Sequence, residues 1–439
     1  MSEQLPPEEV ALRLKALRMA NLDGMFATTF LALFTGTFLI SFVKNLGGND
    51  VWLGLFVAIP TVTGILQFPG SVISLRFRSP KLFVMPGALL WRLLYIPLIF
   101  MPVVWASAPN RLLISLACLT VGTAAVNIGN ATYTNWLADL VPASARGYYF
   151  SRRNAILIAF PAPIAMLAAF AFDYYQRRGQ ANVGLQWIFL VGVICAFISQ
   201  LFYLLTRDVP HEPKPTSGRM VLSEMRQPLL DPNYRRTLLF LAITLIGQNL
   251  AAPFYGAFAL ESLHLSLSTL SIFMLIISAS TVLSTPFWGR FNDRFGSRPG
   301  LVLAGCSLIA SGSPWLFCFP GRDSWNFLIL AIFHTFAGFA YCGANLCQMN
   351  LVLAIAPKDR VRTYLGTSQT LQSMMVGLAP LGGAFLLQSF RGMVDAVTAY
   401  KVLFGIVLLV RLIAIFLVLR VSEQNSTPFK ESLKNLRRA

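Results

Sequence analysis

The stretch VNIGNATYTNWLADLVP, residues 126–142, returns later in the chain as YCGANLCQMNLVLAIAP, residues 341–357. At this shift of 215 residues, asparagine aligns with asparagine twice and the final prolines coincide. A second pair of segments, 70–82 and 289–301, aligns at a shift of 219 residues. Similarity at a spacing of about half the chain indicates a duplication, so the sequence predicts two halves of one architecture.

Each half contains six apolar runs long enough to cross a bilayer, which requires about 20 residues per helix. The 439 residues are 56% hydrophobic and only 12% charged, with a mean hydropathy of +0.63. This composition excludes a soluble domain and a disordered chain. The predicted spans 1 to 12 are 22–43, 51–75, 82–103, 112–138, 154–174, 186–206, 237–260, 267–288, 300–320, 325–355, 364–388 and 399–420.

The predicted fold class is therefore an all-α integral membrane protein with twelve transmembrane helices in two pseudo-symmetric six-helix bundles. The only long polar stretch inside the chain, 207–236, reads as a linker between the bundles. The predicted segments are a cytoplasmic N-terminal segment 1–21, a first bundle 22–206, a cytoplasmic linker 207–236, a second bundle 237–421 and a cytoplasmic tail 422–439.

The formal net charge of +17 would suggest a nucleic-acid partner in a soluble protein. Here the basic residues alternate with the spans: 26 fall on the side of the N-terminus, 7 on the other side, and Arg92 and Arg411 inside spans. Basic residues are enriched in cytoplasmic loops. The charge therefore predicts both termini in the cytoplasm and a plasma (inner) membrane location, with no nucleic acid as a partner.

The segment after span 8 reads Gly289-Arg-Phe-Asn-Asp293-Arg294-Phe-Gly296-Ser-Arg298. It resembles the signature G-x-x-x-D-R-x-G-x-R of the major facilitator superfamily, a family of secondary transporters, and every fixed position is present. In that family the signature is strongest between spans 2 and 3, where this chain has Ser74 for Asp and Phe77 for Gly. Two further similarities are Pro142-x-x-x-Arg146-Gly147 and the Gly377–Gly383 run. The resemblance covers spans 1–12 and does not specify a subfamily or a substrate.

On physical grounds we predict that the signature residues act together as a conformational latch. Gly289 is expected to let two helices approach closely, and Gly296 to permit a tight reversal. Asp293 can accept hydrogen bonds at a helix N-terminus, while Arg294 and Arg298 can bind carboxylates or helix-end carbonyls. The resemblance implies that Asp293 faces the start of span 5 in an outward-open state. The alternative is that these residues only add to the positive charge that keeps cytoplasmic loops inside.

Polar side chains at helical spacing on repeat-related spans 4 and 10 predict a solute cavity, because such groups need partners or water within a membrane. The resemblance also implies that spans 1, 4, 7 and 10 line it. The alternative is that amides and hydroxyls hold helices together. The predicted cavity residues are Asn127, Asn130, Gln248, Asn249, Tyr255, His334, Tyr341, Asn345 and Gln372.

Ionisable residues within the spans are few, and two are candidates for proton coupling. His334 belongs to the polar stripe of span 10 and titrates near neutrality when unperturbed. Asp23 falls in the first turn of predicted span 1, where capping is the competing interpretation. For Arg92 and Arg411 no acid is expected at matching depth, so both are expected to bond backbone carbonyls or amides, with an anionic substrate as the second interpretation.

These patterns predict a secondary active transporter that moves a small solute by alternating access, with a proton as the coupling ion. The alternatives are a multidrug or metabolite exporter of the same fold and a non-transporting membrane receptor or scaffold. The three His and six Cys show no metal-ligand spacing, and paired carboxylates are missing, so no enzyme activity, metal or cofactor is expected. A small-molecule substrate and membrane lipid are the expected partners of a monomer.

Overall fold

The computed structural model describes residues 7–105, 110–141, 146–208, 226–357 and 360–423. Twelve of the described helices are long and apolar enough to cross a membrane, and each coincides with a predicted span. No strand occurs within these described ranges. The predicted all-α, twelve-span architecture is therefore confirmed. Pro142, residues 209–225 of the predicted linker, and residues 424–439 of the predicted tail lie outside the described residues.

The observed helices keep the predicted span numbers. Their bounds, with spans separated by semicolons, are Pro7–Phe34 and Gly36–Asn45; Asp50–Val62, Thr63–Leu66 (3₁₀) and Gln67–Ser74; Pro80–Phe100; Arg111–Leu140; Arg146–Ala159 and Pro161–Arg177; Ala181–Leu205; Pro232–Asn249 and Ala252–Glu261; Leu267–Phe295; Ser297–Gly312 and Ser313–Phe317 (3₁₀); Asp323–Ile355; Val361–Arg391; and Ala396–Val418. A 3₁₀ turn, Gln227–Leu230, precedes span 7.

Helix starts follow local sequence signals. The side chain of Ser79 accepts from the Leu82 amide at the start of span 3, and Asp231 accepts from two amides at the start of span 7. In both spans a proline follows the capping residue, where its missing N–H costs nothing. The Asp231 cap places the start of span 7 at Pro232 rather than at the predicted residue 237.

Several spans are interrupted. Span 1 breaks before Gly36, whose φ of 57° lies in the left-handed region that glycine tolerates. Span 5 is interrupted at Phe160, directly before Pro161. Span 7 is interrupted at residues 250–251. By contrast, Pro380 lies within one continuous helix in span 11. At Phe160 and Leu250 the backbone amides still donate to the Ile156 and Ile246 carbonyls at 2.9 Å, so helical bonding continues up to these interruptions.

Contacts between Cα atoms divide the chain into two compact units. The first comprises residues 1–52 and 63–218, and the second comprises residues 53–62 and 219–439. In the first unit, span 1 packs on span 6, and span 3 packs on spans 4 and 6. In the second unit, span 7 packs on span 12, and span 9 packs on spans 10 and 12. The two units therefore repeat the same helix pairings, as the internal similarity predicts.

Large apolar side chains remain exposed along the spans. Leu283 in span 8 is 79% exposed and Leu167 in span 5 is 66% exposed. A soluble protein avoids such continuous apolar surface, whereas lipid chains solvate it. These side chains identify helix faces suited to contact with lipid.

Candidate functional site

The predicted cavity residues of span 4 differ in their surroundings. Asn127 is half-buried, and its Nδ2 donates to the Thr63 hydroxyl at 2.8 Å. Gln67 Nε2 donates to Asn127 Oδ1 at 3.4 Å. Asn130, less than one turn further, is exposed. Asn127 thus joins spans 2 and 4 in this conformation, whereas Asn130 keeps its amide available.

The predicted residues of span 10 divide in the same way. His334 is buried, its Nδ1 donates to the Leu330 carbonyl at 2.6 Å, and its ring stacks on Phe273 with centroids 4.7 Å apart. Tyr341 is half-buried against the core, and Asn345 is exposed. The surroundings of His334 therefore match a structural histidine more closely than a freely accessible proton carrier. In span 11, Gln372 is half-buried.

The interruption of span 7 carries unsatisfied polar groups on both sides. Gln248 Nε2 and the Tyr255 hydroxyl are buried, and neither has a hydrogen-bond partner among the described residues. Asn249 instead donates to the Leu245 carbonyl at 2.9 Å. Discontinuous helices with free polar groups form the solute sites of many membrane transporters. The break in span 7 is therefore a centre of the candidate site.

Aromatic rings connect this break to span 10. Tyr255 stacks on Phe404 with ring centroids 4.5 Å apart and lies 5.0 Å from Trp315. Trp315 in turn lies 5.9 Å from the His334 ring. Two predicted residues, Tyr255 and His334, thus contact the same ring, that of Trp315. Neither Trp315 nor Phe404 was predicted from the sequence. An aromatic residue in an apolar span carries no pattern that separates a site residue from ordinary packing.

The first unit contains a buried polar centre around Asp23. Ser199 donates to Asp23 Oδ1 at 2.6 Å, and the Tyr133 hydroxyl donates to Oδ2 at 2.8 Å. Arg92 Nη2 donates to Ser199 Oγ at 2.7 Å and lies 3.8 Å from Asp23 Oδ1. Arg153 Nη2 donates to the Tyr133 hydroxyl at 3.1 Å. Each of these contacts joins residues of different spans.

This centre corrects two expectations. Asp23 is not in a first helical turn, because the helix begins at Pro7 and places Asp23 inside a continuous helix where it is 5% exposed. An acid does lie at the depth of Arg92, so the expectation that none is present was wrong. The expected carbonyl bonds of Arg92 are confirmed: it donates to Ala196 at 2.7 Å and to Ala88 at 2.8 Å.

Some of the predicted latch residues make the contacts expected of them in the structure, and others do not. Gly296 has a φ of 90° between spans 8 and 9, which confirms the tight reversal. A Cβ atom at Gly289 would meet no described residue within 4 Å, so the expected close helix approach is not found there. Asp293 and Arg294 are exposed, and Arg294 lies over the Phe295 ring at 5.2 Å. Arg298 donates to the Leu419 carbonyl, as expected for a helix-end partner.

A reciprocal clamp that the sequence analysis missed joins span 12 to span 9. Glu423 accepts from the backbone amides of Ser297 at 2.9 Å and Arg298 at 2.7 Å, satisfying free donors at the start of span 9. Arg298 bonds the Leu419 carbonyl in return.

The first unit contains the counterpart. Asp208 accepts from the Ser79 hydroxyl and from the Lys81 amide, and Lys81 Nζ donates to the Leu204 carbonyl at 2.6 Å. Residues 208 and 423, like 204 and 419, are 215 apart, so the repeat itself was the signal that could have revealed both clamps.

The sequence and the fold were compared with those of known proteins. Residues 237–438 match the family model described as Major Facilitator Superfamily. No curated protein matches the sequence. Among solved structures, the nucleoside transporter NupG has a TM-score of 0.74 at 12% identity, covering 94% of this chain and 100% of that chain. The xylose transporter XylE from E. coli, in an inward open conformation, has a TM-score of 0.66 at 17% identity, with 97% and 99% coverage. A bacterial homolog to the human lysosomal transporter Spinster has a TM-score of 0.65 at 15% identity, with 99% and 98% coverage.

The fold and these similarities define a multi-pass membrane protein, with twelve membrane-spanning helices among the described residues. The resemblance inferred from the signature residues is confirmed: residues 237–438 match the Major Facilitator Superfamily model, and the chain shares the fold of the solved transporters named above. The subfamily remains unassigned.

Proposed function

We propose that this chain is a secondary active transporter that moves a small, uncharged, hydrogen-bonding solute by alternating access. The observation that carries the proposal is the interrupted span 7, where Gln248 Nε2 and the Tyr255 hydroxyl are buried without partners among the described residues. A solute hydroxyl or ring nitrogen would satisfy such groups. The nearby rings of Trp315 and Phe404 supply stacking surface for a sugar or nucleobase face.

Two similar structures support the solute class. One is a nucleoside transporter, and another is described as a D-xylose-proton symporter, with a TM-score of 0.66 at 14% identity. Nucleosides and xylose are both uncharged and carry several hydroxyl groups. The exposed amides of Asn130 and Asn345 are further candidate contacts, together with Asn249, Tyr341 and Gln372.

The proposed coupling ion is the proton, with Asp23 as its carrier. This carboxylate is buried within a span and held by two hydroxyl donors and one arginine, all of which can rearrange when it is protonated. Buried acids of this kind form proton relays in transporters. His334, stacked and bonded, is the weaker second candidate.

The distribution of 26 basic residues against 7 supports both termini in the cytoplasm and location in the plasma membrane. We propose that the chain works as a monomer, with lipid and solute as its partners, and that it moves the solute without chemical conversion, cofactor or nucleic acid.

Flux measured in proteoliposomes tests the proposal. Radiolabelled nucleosides and pentoses are offered to the purified protein with and without a pH gradient. Wild-type protein should accumulate its solute only with the gradient, and Asp23→Asn should abolish accumulation while retaining exchange of solute across the membrane. Asp323→Asn, an exposed acid at the start of span 10, is the matched control. Accumulation that ignores the gradient would overturn proton coupling, and solute binding without flux would favour a receptor.

The solute site is tested separately by Tyr255→Phe and Gln248→Met. Each should weaken solute binding about tenfold or more, because an unpaired polar group discriminates strongly. Gln176→Met, at an exposed position in span 5, is the control. Unchanged binding in both variants would place the site elsewhere.

A further inference from the structure

The second unit also buries an arginine that has no neutralising partner among the described residues. Arg411 in span 12 is 5% exposed. Its Nε donates to the Gly247 carbonyl at 2.9 Å and its Nη1 to the Leu308 carbonyl at 2.5 Å, confirming the expected carbonyl bonds. No carboxylate within the described ranges forms an ion pair with it. The guanidinium is therefore hydrogen-bonded but its charge is not neutralised.

The surrounding helices leave room beside this charge. A Cβ atom at Gly312 would stand 2.5 Å from Arg411 Nη1, so a larger residue there would displace the guanidinium. Next to Arg411 lies a cavity of about 20 Å³, which holds one water-sized particle. Its lining is apolar apart from Thr244, Gln348 and Arg411.

The polar lining offers donors. Gln348 is 6% exposed, and its Nε2 has no acceptor among the described residues. The Thr244 hydroxyl already donates its hydrogen to the Phe240 carbonyl at 2.8 Å. Within the described part of the chain, no acceptor bonds Arg411 Nη2. The cavity is thus a small, positively charged space with free N–H groups and no acidic side chain.

We propose that this cavity is a binding site for a small monovalent inorganic anion of the size of chloride. Such an anion accepts hydrogen bonds from N–H donors and, unlike water, has no hydrogens that need an acceptor. Its charge also neutralises the guanidinium. A water molecule would fit the volume but would leave the charge uncompensated in a low-dielectric interior. The anion would occupy in the second unit the electrostatic role that Asp23 has in the first.

Thermal unfolding of the full chain in detergent tests this site. The unfolding midpoint is measured while sodium chloride replaces sodium gluconate at constant ionic strength. Wild-type protein should show a saturating, chloride-specific rise in midpoint, and Arg411→Met should lose it. Arg420→Met, an exposed arginine just beyond span 12, should retain the full rise.

Gln348→Met keeps the charge and the approximate volume but removes the amide. It should raise the half-saturating chloride concentration at least tenfold, and this variant keeps the test valid if Arg411→Met fails to fold. A wild-type midpoint that does not distinguish chloride from gluconate, or a chloride response that persists in Arg411→Met, would overturn the anion site. Neither measurement depends on solute transport.

Discussion

The two units build the same helix pairings around two different polar centres. In the first, Arg92 of span 3 meets Asp23 through Ser199, so that a buried cation faces a buried carboxylate. In the second, Arg411 of span 12 bonds carbonyl groups of spans 7 and 9 and pairs with no carboxylate among the described residues. Each arginine links the equivalent trio of helices, 1, 3 and 6 or 7, 9 and 12. A duplicated scaffold can therefore keep its packing while its charge chemistry diverges.

The largest expected effect comes from breaking the first centre. Arg92→Met leaves the Asp23 carboxylate buried without its cation, and the free energy of unfolding should fall by about 3–5 kcal/mol. Arg411→Met leaves no acid behind, so its loss should be clearly smaller. Denaturant titrations of both variants in detergent measure the difference.

The double variant Asp23→Asn, Arg92→Met provides the control, because it removes both charges. It should recover a substantial part of the stability that Arg92→Met loses. Equal losses for Arg92→Met and Arg411→Met, or a double variant no more stable than Arg92→Met, would contradict the contrast between the centres.

The aligned glycines Gly70 and Gly289 provide a second comparison of the units, with a smaller expected effect on stability. A Cβ atom at Gly70 would stand 1.9 Å from the Ile128 carbonyl oxygen, whereas one at Gly289 would meet no described residue within 4 Å. Gly70→Ala should therefore cost about 1–3 kcal/mol through overpacking. Gly289→Ala should be neutral, or stabilising by up to about 1 kcal/mol, because alanine favours helix. Thermal unfolding of the pair checks this, and the reverse order would show that the intact signature needs its glycine for packing.

Removing the carboxylate from either clamp should reduce stability by a similar amount. Glu423→Ala removes the acceptor of two amides at the start of span 9, and Asp208→Ala removes its counterpart at span 3. Each should cost about 0.5–2 kcal/mol, the range measured for helix caps. Hydrogen exchange should accelerate at the first turn of span 9 in Glu423→Ala and of span 3 in Asp208→Ala. Faster exchange along the entire span in either variant would instead indicate a wider structural role.

The sequence was sufficient for the twelve spans because the length and hydropathy of each run are local properties. It also placed Gly296 correctly, since a reversal of the chain requires a particular backbone conformation at a particular residue. The Asp23–Arg92 centre was missed because residues of spans 1, 3, 4 and 6 meet only after packing, and because the helix starts at Pro7 rather than near 22. No local sequence pattern shows how deep within the bundle Asp23 lies.

The smallest expected effect on stability, and the most direct test of the latch, is Asp293→Asn. Asp293 is exposed and makes no hydrogen bond or ion pair with the described residues of its own unit, so unfolding should change by less than about 0.5 kcal/mol. If the carboxylate stabilises one state of the transport cycle, its removal should still slow flux several-fold, because the latch energy biases the equilibrium between states. The aligned Ser74→Ala, in the degraded copy of the signature, should leave flux unchanged. Full transport activity in Asp293→Asn would contradict the latch and leave the signature residues as part of the positive charge of the cytoplasmic loops.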